Sequence, residues 1–395
     1  MTYYQRNLLV LSFTTFIASA GWTQILPFLP LFIEELGVHE RLAFWSGIVM
    51  ACQTVATIVM MPFWGKVADK YGRKMMIIRA GICLVLIYLG MSLCQSLWQL
   101  LLLRVLNGAL TGFIPASMTL VATNSPQSES ARNVSVLQST VAFGTIAGPP
   151  LGSIMAQIAG YRGSMAVSAI AVGFAVVLVA WWVEEREKAH QKEPTSLWQD
   201  FRMAFRMPIL VTAMLADMVT GLVTMASQPI LVLHLQNLVG KAADAFCGPL
   251  FSLPGLAIVL TNYTWCWIGE KRTFQKVILF GLSGMGIVNL MQGFVYDIWI
   301  FAGLYFLGGV FAAAVSPNTA ALVATGVAPG FQGRAFAIQQ SSRNFGSMVA
   351  PLLAGVIGSY SNFQGLFLIV GSISVLAMFL IRLQMLTWTS GLPKR

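Results

Sequence analysis

The sequence predicts an all-α membrane protein of twelve transmembrane helices arranged as two parallel six-helix repeats, and three observations predict it. Of 395 residues, 57% are hydrophobic and only 10% are charged, with a mean hydropathy of +0.74, which excludes an ordinary soluble domain. Apolar runs long enough to cross hydrocarbon recur from one end of the chain to the other. The second half also repeats the first at a constant offset of 202 residues.

The runs, bounded by Gly, Pro or charge, fall at about 8–33, 43–63, 75–95, 98–122, 134–157, 163–183, 208–235, 245–268, 275–294, 298–325, 335–358 and 363–386. Each supplies about 20 residues, the length a helix rising 1.5 Å per residue needs to span the bilayer core. Helices are expected because they satisfy every backbone group within the segment. No small-residue cleavage site follows a short apolar core near Met1, so Leu8 to Ile33 is expected to be a retained span and not a signal peptide. With the N-terminus placed inside, all 24 Lys and Arg lie on that side except Arg41, Arg162 and Lys241 outside and Arg104 and Arg343 within spans. That asymmetry places both termini in the cytoplasm. The net charge of +10 is therefore a statement about topology and gives no reason to expect nucleic acid.

At the offset of 202, Pro27 pairs with Pro229, Pro115 with Pro317, Val121-Ala122-Thr123 with Val323-Ala324-Thr325, and Arg132 with Arg334. Gln138 pairs with Gln340, Phe143-Gly144 with Phe345-Gly346, and Pro149 with Pro351. Six helices, an even number, separate the copies, so the halves share one topology and are related by an axis along the membrane normal. The polar stretch 184–207 is the linker, between an N-terminal half at 1–183 and a C-terminal half at 208–395. Parallel six-helix repeats with a site near the midplane describe a rocker-type secondary transporter.

The segment Gly65 to Lys74 carries five charges in ten residues and is expected to be a membrane-surface loop, with Gly65 and Gly72 allowing a tight turn. Its Gly65, Asp69, Gly72, Arg73 and Lys74 match G-x-x-x-D-x-x-G-R-K, and the segment resembles the loop between helices two and three of the major facilitator superfamily. Leu103-Arg104-Val105-Leu106-Asn107-Gly108 resembles the helix-four motif of drug exporters in that superfamily. Gly144-Thr145-Ile146-Ala147-Gly148-Pro149-Pro150-Leu151-Gly152 resembles its antiporter motif in helix five. Pro27-Phe28-Leu29-Pro30-Leu31-Phe32, Pro62-Phe63-Trp64-Gly65 and Ser342-Arg343 are similar to MdtG-like multidrug exporters of bacteria. The resemblance covers the whole chain and implies the major facilitator fold, in the twelve-helix drug:proton antiporter group. It implies a bacterial inner-membrane transporter that exchanges protons for a small molecule and works as a monomer. It also gives Gly65, Asp69, Gly72, Arg73 and Lys74 the part of an inner-gate latch, and makes Gly144, Gly148, Pro149 and Gly152 a gate hinge.

Two departures stand beside the match. The second-half copy of the loop, Gly269-Glu270-Lys271-Arg272, lacks the Asp and the second Gly, so the inner gate is expected to be asymmetric. Asp69→Asn should then impair transport, whereas Glu270→Gln should matter little. Span one also holds no acid, which leaves the proton carrier open.

Asp217 is the only acid well inside a span, roughly 13 Å deep by helical rise. A carboxyl group at that depth can exchange protons, serve as a fixed partner for Arg104 or Arg343, or sit as an acid in a wet cavity. Arg104 lies in a span, where an isolated cation is costly, and serves either proton coupling or a structural bond to carbonyls. Arg343 has Val141 at its repeat position, so the scaffold does not require its charge, and it is a candidate for a ligand anion or for Asp217. Glu34, Glu35, His39 and His234 are weaker proton candidates. Trp22, Gln24, Gln53, Gln138, Gln228, Asn318 and Gln340 are candidates to line a substrate cavity, with bonding between helices as their other use. Gly144, Gly148 and Gly152, at every fourth position, predict close helix packing, and Pro149 and Pro150 remove backbone donors beside them.

Cys52, Cys83, Cys94, Cys247 and Cys266 lie in apolar runs at no metal-ligand spacing and read as core residues. No metal or cofactor is expected. There is no phosphate-binding G-x-x-x-x-G-K-[S/T] and no nucleophile constellation, so neither ATP-driven transport nor an enzyme is expected. The expected activity is proton-coupled efflux of small amphipathic or lipophilic compounds. The rival readings are a dedicated exporter of an endogenous metabolite such as a siderophore, and a transport-dead sensor or scaffold.

Overall fold

The computed structural model describes residues 2–126, 129–186, 197–240, 243–360 and 363–390, and among them every regular element is a helix. The chain divides into two compact units. Unit 1 comprises Met1–Lys192 with Lys241–Ser252, and unit 2 comprises Glu193–Gly240 with Leu253–Arg395.

Unit 1 carries α1 (Tyr3–Thr23), a 3₁₀ turn (Leu26–Phe28), α2 (Leu29–Glu35), α3 (Leu42–Tyr71), α4 (Arg73–Leu93), α5 (Leu97–Leu110), α6 (Phe113–Asn124) and α7 (Ser130–Trp182). Unit 2 carries α8 (Leu197–Phe205), α9 (Pro208–Ala226) and α10 (Gln228–Val239). Helix α11 (Ala243–Arg272) gives its first turns to unit 1 and the rest to unit 2, which continues with α12 (Phe274–Gln292), α13 (Ile298–Gly326), α14 (Pro329–Tyr360) and α15 (Phe363–Ser390).

All twelve apolar runs are helical. Ten stretches among the described residues are long and apolar enough to cross a membrane, and the difference from twelve has two causes. The fifth and sixth runs join into α7, broken only at Gly160, whose φ of 73° needs a glycine. In α14 the polar sequence Gln339-Gln340-Ser341-Ser342-Arg343-Asn344 dilutes the apolar run, so this helix is not among the ten.

The repeat is visible in where helices break. Pro27 separates α1 from α2 and its counterpart Pro229 lies where α9 gives way to α10, each proline lacking a backbone donor. The halves part company at the fourth span: Gly112, with φ 139°, divides α5 from α6, whereas α13 runs unbroken through Pro317. The repeat-related residue to Gly112 is Ala314, which has no such freedom.

The core of unit 1 lies where α1 and α4 pack on α7 and α3 on α5, and includes Leu11, Phe32, Ile77, Tyr88, Leu100 and Leu120. In unit 2, α9 packs on α14, and α12 on α13 and α15. Side chains left exposed on these helices are often large and apolar, such as Leu86, Ile170, Phe174, Leu376 and Phe379, as contact with lipid tails requires. Glu184 to Arg186 bond to unit 1, residues 187–196 lie outside the described residues, and Ala204 of α8 is buried in the core of unit 2.

Candidate functional site

Among the described residues, unit 2 buries one carboxylate. Asp217, on α9, is 3% exposed, and its Oδ2 accepts hydrogen bonds from Thr319 Oγ1 of α13 at 3.0 Å and Gln339 Nε2 of α14 at 2.5 Å. Gln339 also reaches Thr319 Oγ1 at 3.1 Å, closing a triangle of three helices. Oδ1 accepts no hydrogen bond from the described residues. Arg343, one helical turn beyond Gln339, interacts electrostatically with Asp217 and donates to Ser316 Oγ. The repeat-related positions in unit 1 are Thr15, Ser117 and Leu137, so only one half holds this acid.

Unit 1 buries a cation instead. Arg104, on α5, is 2% exposed and donates through Nη1 to Gln53 Oε1 of α3 at 2.7 Å. Gln53 in turn donates to Asn107 Oδ1 at 3.5 Å. Gly108 makes this possible: a Cβ there would run into the Gln53 carbonyl, so only glycine lets α3 and α5 approach so closely. Among the described residues no carboxylate pairs with Arg104, although even insertion scales charge about 2.5–3.5 kcal/mol for an Arg at mid-membrane.

At the charged end of unit 1, α3 stays helical to Tyr71 and α4 starts at Arg73. The expected loop is thus a single joint, Gly72, with φ 94°. Gly65 is not part of a turn. It sits inside α3, and a Cβ there would meet nothing within 4 Å. Asp69 and Lys66 lie on the last turns of α3, and their side chains lie outside the described residues. Among the described residues, Glu185 serves the joint, accepting from the amides of Arg73 and Lys74 at 2.8 Å each. These are orphan donors at the start of α4, where a negative charge also suits the helix dipole. A Cβ on Gly72 would lie 2.8 Å from Glu185 Oε2, so the glycine admits the acid. Lys74 Nζ donates to the Ala180 carbonyl at 2.9 Å, so it too is bound to α7.

Next to Glu185, Glu184 pairs with Arg186 and Arg6, and these bonds, that of Arg186 foremost, hold its carboxyl below the usual carboxylate range. The backbone of Glu184 exchanges two bonds with the Asn7 side chain, and the Arg186 amide donates to Asn124 Oδ1 at 2.8 Å. Three consecutive residues therefore join the starts of α1 and α4 and the end of α6.

The glycines of α7 face α1. Added Cβ atoms would strike Ser19 and the Phe16 carbonyl at Gly144, Thr23 and the Ala20 carbonyl at Gly148, and the Gln24 carbonyl at Gly152. In unit 2, Gly346 meets the Met218 carbonyl, the repeat counterpart of the Gly144 contact with Phe16. Pro150 cannot donate to the Ile146 carbonyl. Ser252 Oγ, in the part of α11 that groups with unit 1, supplies that bond at 2.6 Å.

A family model described as Major Facilitator Superfamily matches residues 11–249 and again residues 219–390. The chain belongs to the Major Facilitator Superfamily. Among curated members, it is 30% identical over 370 residues to "Multidrug resistance protein MdtG" of Proteus mirabilis (strain HI4320), covering 92% of each chain. It is 29% identical to the protein of the same description from Salmonella schwarzengrund (strain CVM19633), over 94% of this chain and 93% of that one. The fold matches a bacterial homolog of the human lysosomal transporter Spinster, inward-facing and occupied, with TM-score 0.82 at 13% identity over 98% and 97% of the two chains. It also matches the nucleoside transporter NupG, with TM-score 0.79 at 13% identity over 97% and 100%.

As a Major Facilitator Superfamily member, the protein is a multi-pass membrane protein built on the superfamily fold. Its unit 2 joins Asp217 to Thr319 and Gln339, with Arg343 one turn further along α14, and its unit 1 brings Arg104 and Gln53 together. Other cavity candidates scatter. Gln24 is buried and bonds to Ser168, and Asn318 is buried and donates to the Trp265 and Ala314 carbonyls. Gln228 is half-buried with Oε1 unpaired, Gln340 is exposed and donates to Asn344, and Trp22 and Gln138 are exposed. Sequence reasoning missed Gln339, Thr319 and Glu185. The repeat singled out Gln340 because it pairs with Gln138, and its neighbour Gln339, paired with Leu137, is the one that reaches Asp217.

Proposed function

We propose that this superfamily member is a proton-coupled exporter of small amphipathic or lipophilic compounds. It works as a monomer in a bacterial inner membrane, with both termini in the cytoplasm, by alternating access. The observation that carries the reading is the similarity to MdtG across nine-tenths of the chain. Asp217 supplies the proton step: a lone carboxylate, buried in a span, with one oxygen tied by two donors and the other free to bind a proton. Arg343 is the positive charge that competes with that proton, and its bond to Ser316 gives it somewhere to rest when Asp217 is neutral. Arg104 is assigned to coupling as the buried positive charge of unit 1. Trp22, Gln24, Gln53, Gln138, Gln228, Asn318 and Gln340 remain the proposed substrate contacts. The Gly72 joint with Asp69, Arg73 and Lys74 is assigned to gating, together with Gly144, Gly148, Pro149 and Gly152.

The test is drug-driven proton movement in proteoliposomes carrying a pH-sensitive dye inside. Wild-type protein should move protons when a panel of lipophilic drugs is added, and Asp217→Asn should not at equal incorporation. Coupled movement that persists in Asp217→Asn removes Asp217 as carrier. A wild-type protein silent to the whole panel removes the multidrug reading.

A further inference from the structure

The polar cluster around Arg104 has a surplus of donors. Two amide oxygens face it from within the cluster, and each already accepts a bond: Gln53 Oε1 from Arg104 Nη1 and Asn107 Oδ1 from Gln53 Nε2. Left over are Arg104 Nε and Nη2, Asn107 Nδ2 and the Tyr88 hydroxyl, all closed off from water and none with a hydrogen-bond partner. Their residues are buried: Arg104 is 2% exposed, Asn107 1% and Tyr88 1%. Tyr88, on α4, lies near enough to interact electrostatically with the guanidinium, as does Cys52 beside Gln53. The cluster thus holds one full positive charge and several unused donors. No carboxylate among the described residues answers it. Buried donors and buried charges normally find partners, because leaving them alone in a low-dielectric interior is costly.

We infer that the Arg104, Asn107 and Tyr88 cluster is a binding site for one monovalent anion, a halide or a carboxylate. The charge requires an anion, and a neutral acceptor such as water would leave the guanidinium uncompensated. The donors set the class further. One planar guanidinium, one amide and one hydroxyl suit a single small charged acceptor, and an anion of higher charge would exceed the one cation present. Arg104 reaches this arrangement because Gly108 lets Gln53 sit against α5, which turns its amide oxygen onto Nη1 and leaves the other donors to the ligand.

Such an anion has two sources, a free ion from the medium or the carboxylate of a transported compound. The inference depends on neither the direction of transport nor the role of Asp217, and it is tested on purified protein. Thermal unfolding of the full chain in detergent would be followed at constant ionic strength set by a bulky sulfonate, while chloride, bromide and benzoate are titrated separately. In the wild type, at least one of them should raise the midpoint saturably. The response should be absent in Arg104→Gln, and at least tenfold weaker in concentration dependence in Tyr88→Phe and in Asn107→Leu. The latter two keep the cation and cover the case in which Arg104→Gln does not fold. A response to halides assigns the site to a free ion, and a response to benzoate alone assigns it to a substrate carboxylate. No saturable response to any of the three in the wild type, or one of equal strength in Tyr88→Phe and Asn107→Leu, would overturn the inference.

Discussion

Gln339 and Thr319 donate to the same oxygen of Asp217, Oδ2, at 2.5 and 3.0 Å, and leave Oδ1 unbonded. Two donors on one oxygen fix the orientation of the carboxyl group and separate the atom that is held from the atom that is free. Hydrogen bonds to a charged group are worth about 1.5–3 kcal/mol. Gln339→Leu should therefore displace the pH profile of drug-driven proton movement from that of wild type, with protein yield little changed. Thr319→Val, which removes the longer bond, should displace it less. Identical profiles in all three proteins would show that these bonds are structural only.

A second prediction separates two glycines that both lie in superfamily motifs. Gly148 packs against Thr23 and the Ala20 carbonyl, so Gly148→Ala overfills the contact between α7 and α1, and overpacking costs about 1–3 kcal/mol. Gly65 sits in a regular helix with open space around it, and Gly→Ala there removes a helix penalty of about 0.5–1 kcal/mol. The thermal midpoint in detergent should fall for Gly148→Ala and hold or rise for Gly65→Ala. A fall in both would mean that Gly65 makes a contact in another state of the transport cycle.

The contrast shows what was legible in the sequence. Span positions followed from apolar runs, and the repeat paired Pro27 with Pro229, since both depend only on residue type and spacing; the helix breaks beside these prolines fall inside runs read as unbroken. The Gly144 to Gly152 packing was legible for the same reason: glycines at every fourth position share one helix face. Partners were not legible. That Asp217 meets Gln339 and not Gln340 depends on how α14 is rotated, and no run or repeat encodes that rotation. Glu185 lay in a stretch read as linker because it is charged and follows the last apolar run of its half. Its function comes from a turn that brings it back over Gly72.

The bond from Glu185 to the first amides of α4 gives a local prediction. Loss of a helix N-terminal acceptor costs about 1 kcal/mol, so Glu185→Ala should loosen the first turn of α4 by that amount. Glu185→Gln keeps an acceptor oxygen and should lose less. Gly72→Ala should resemble Glu185→Ala or exceed it, because the new Cβ crowds the carboxylate and the φ of 94° disfavours alanine. Hydrogen exchange at Lys74 and Met75 reads these changes directly. Unchanged protection in Glu185→Ala would show that the cap is dispensable.

Glu184 yields the pH dependence. Its bonds to Arg186 and Arg6 hold the carboxyl below its ordinary value, so the folded state prefers the charged form more than the unfolded chain does. Such a group stabilises the fold above its unfolded value, and the contribution is lost as pH falls through the depressed folded value. Glu184→Gln should then have a lower thermal midpoint than wild type at pH 7, and the two should converge as the buffer drops below about pH 4, the ordinary carboxylate range. The gap should be small, because both partners are partly exposed, and should shrink further in high salt. The backbone bonds between Glu184 and Asn7 survive the substitution, so the variant keeps the joint between α1 and the end of α7 and reports on the charge alone. A gap that is the same at pH 7 and in acid would mean that the carboxylate acts by packing and not through its ion pairs.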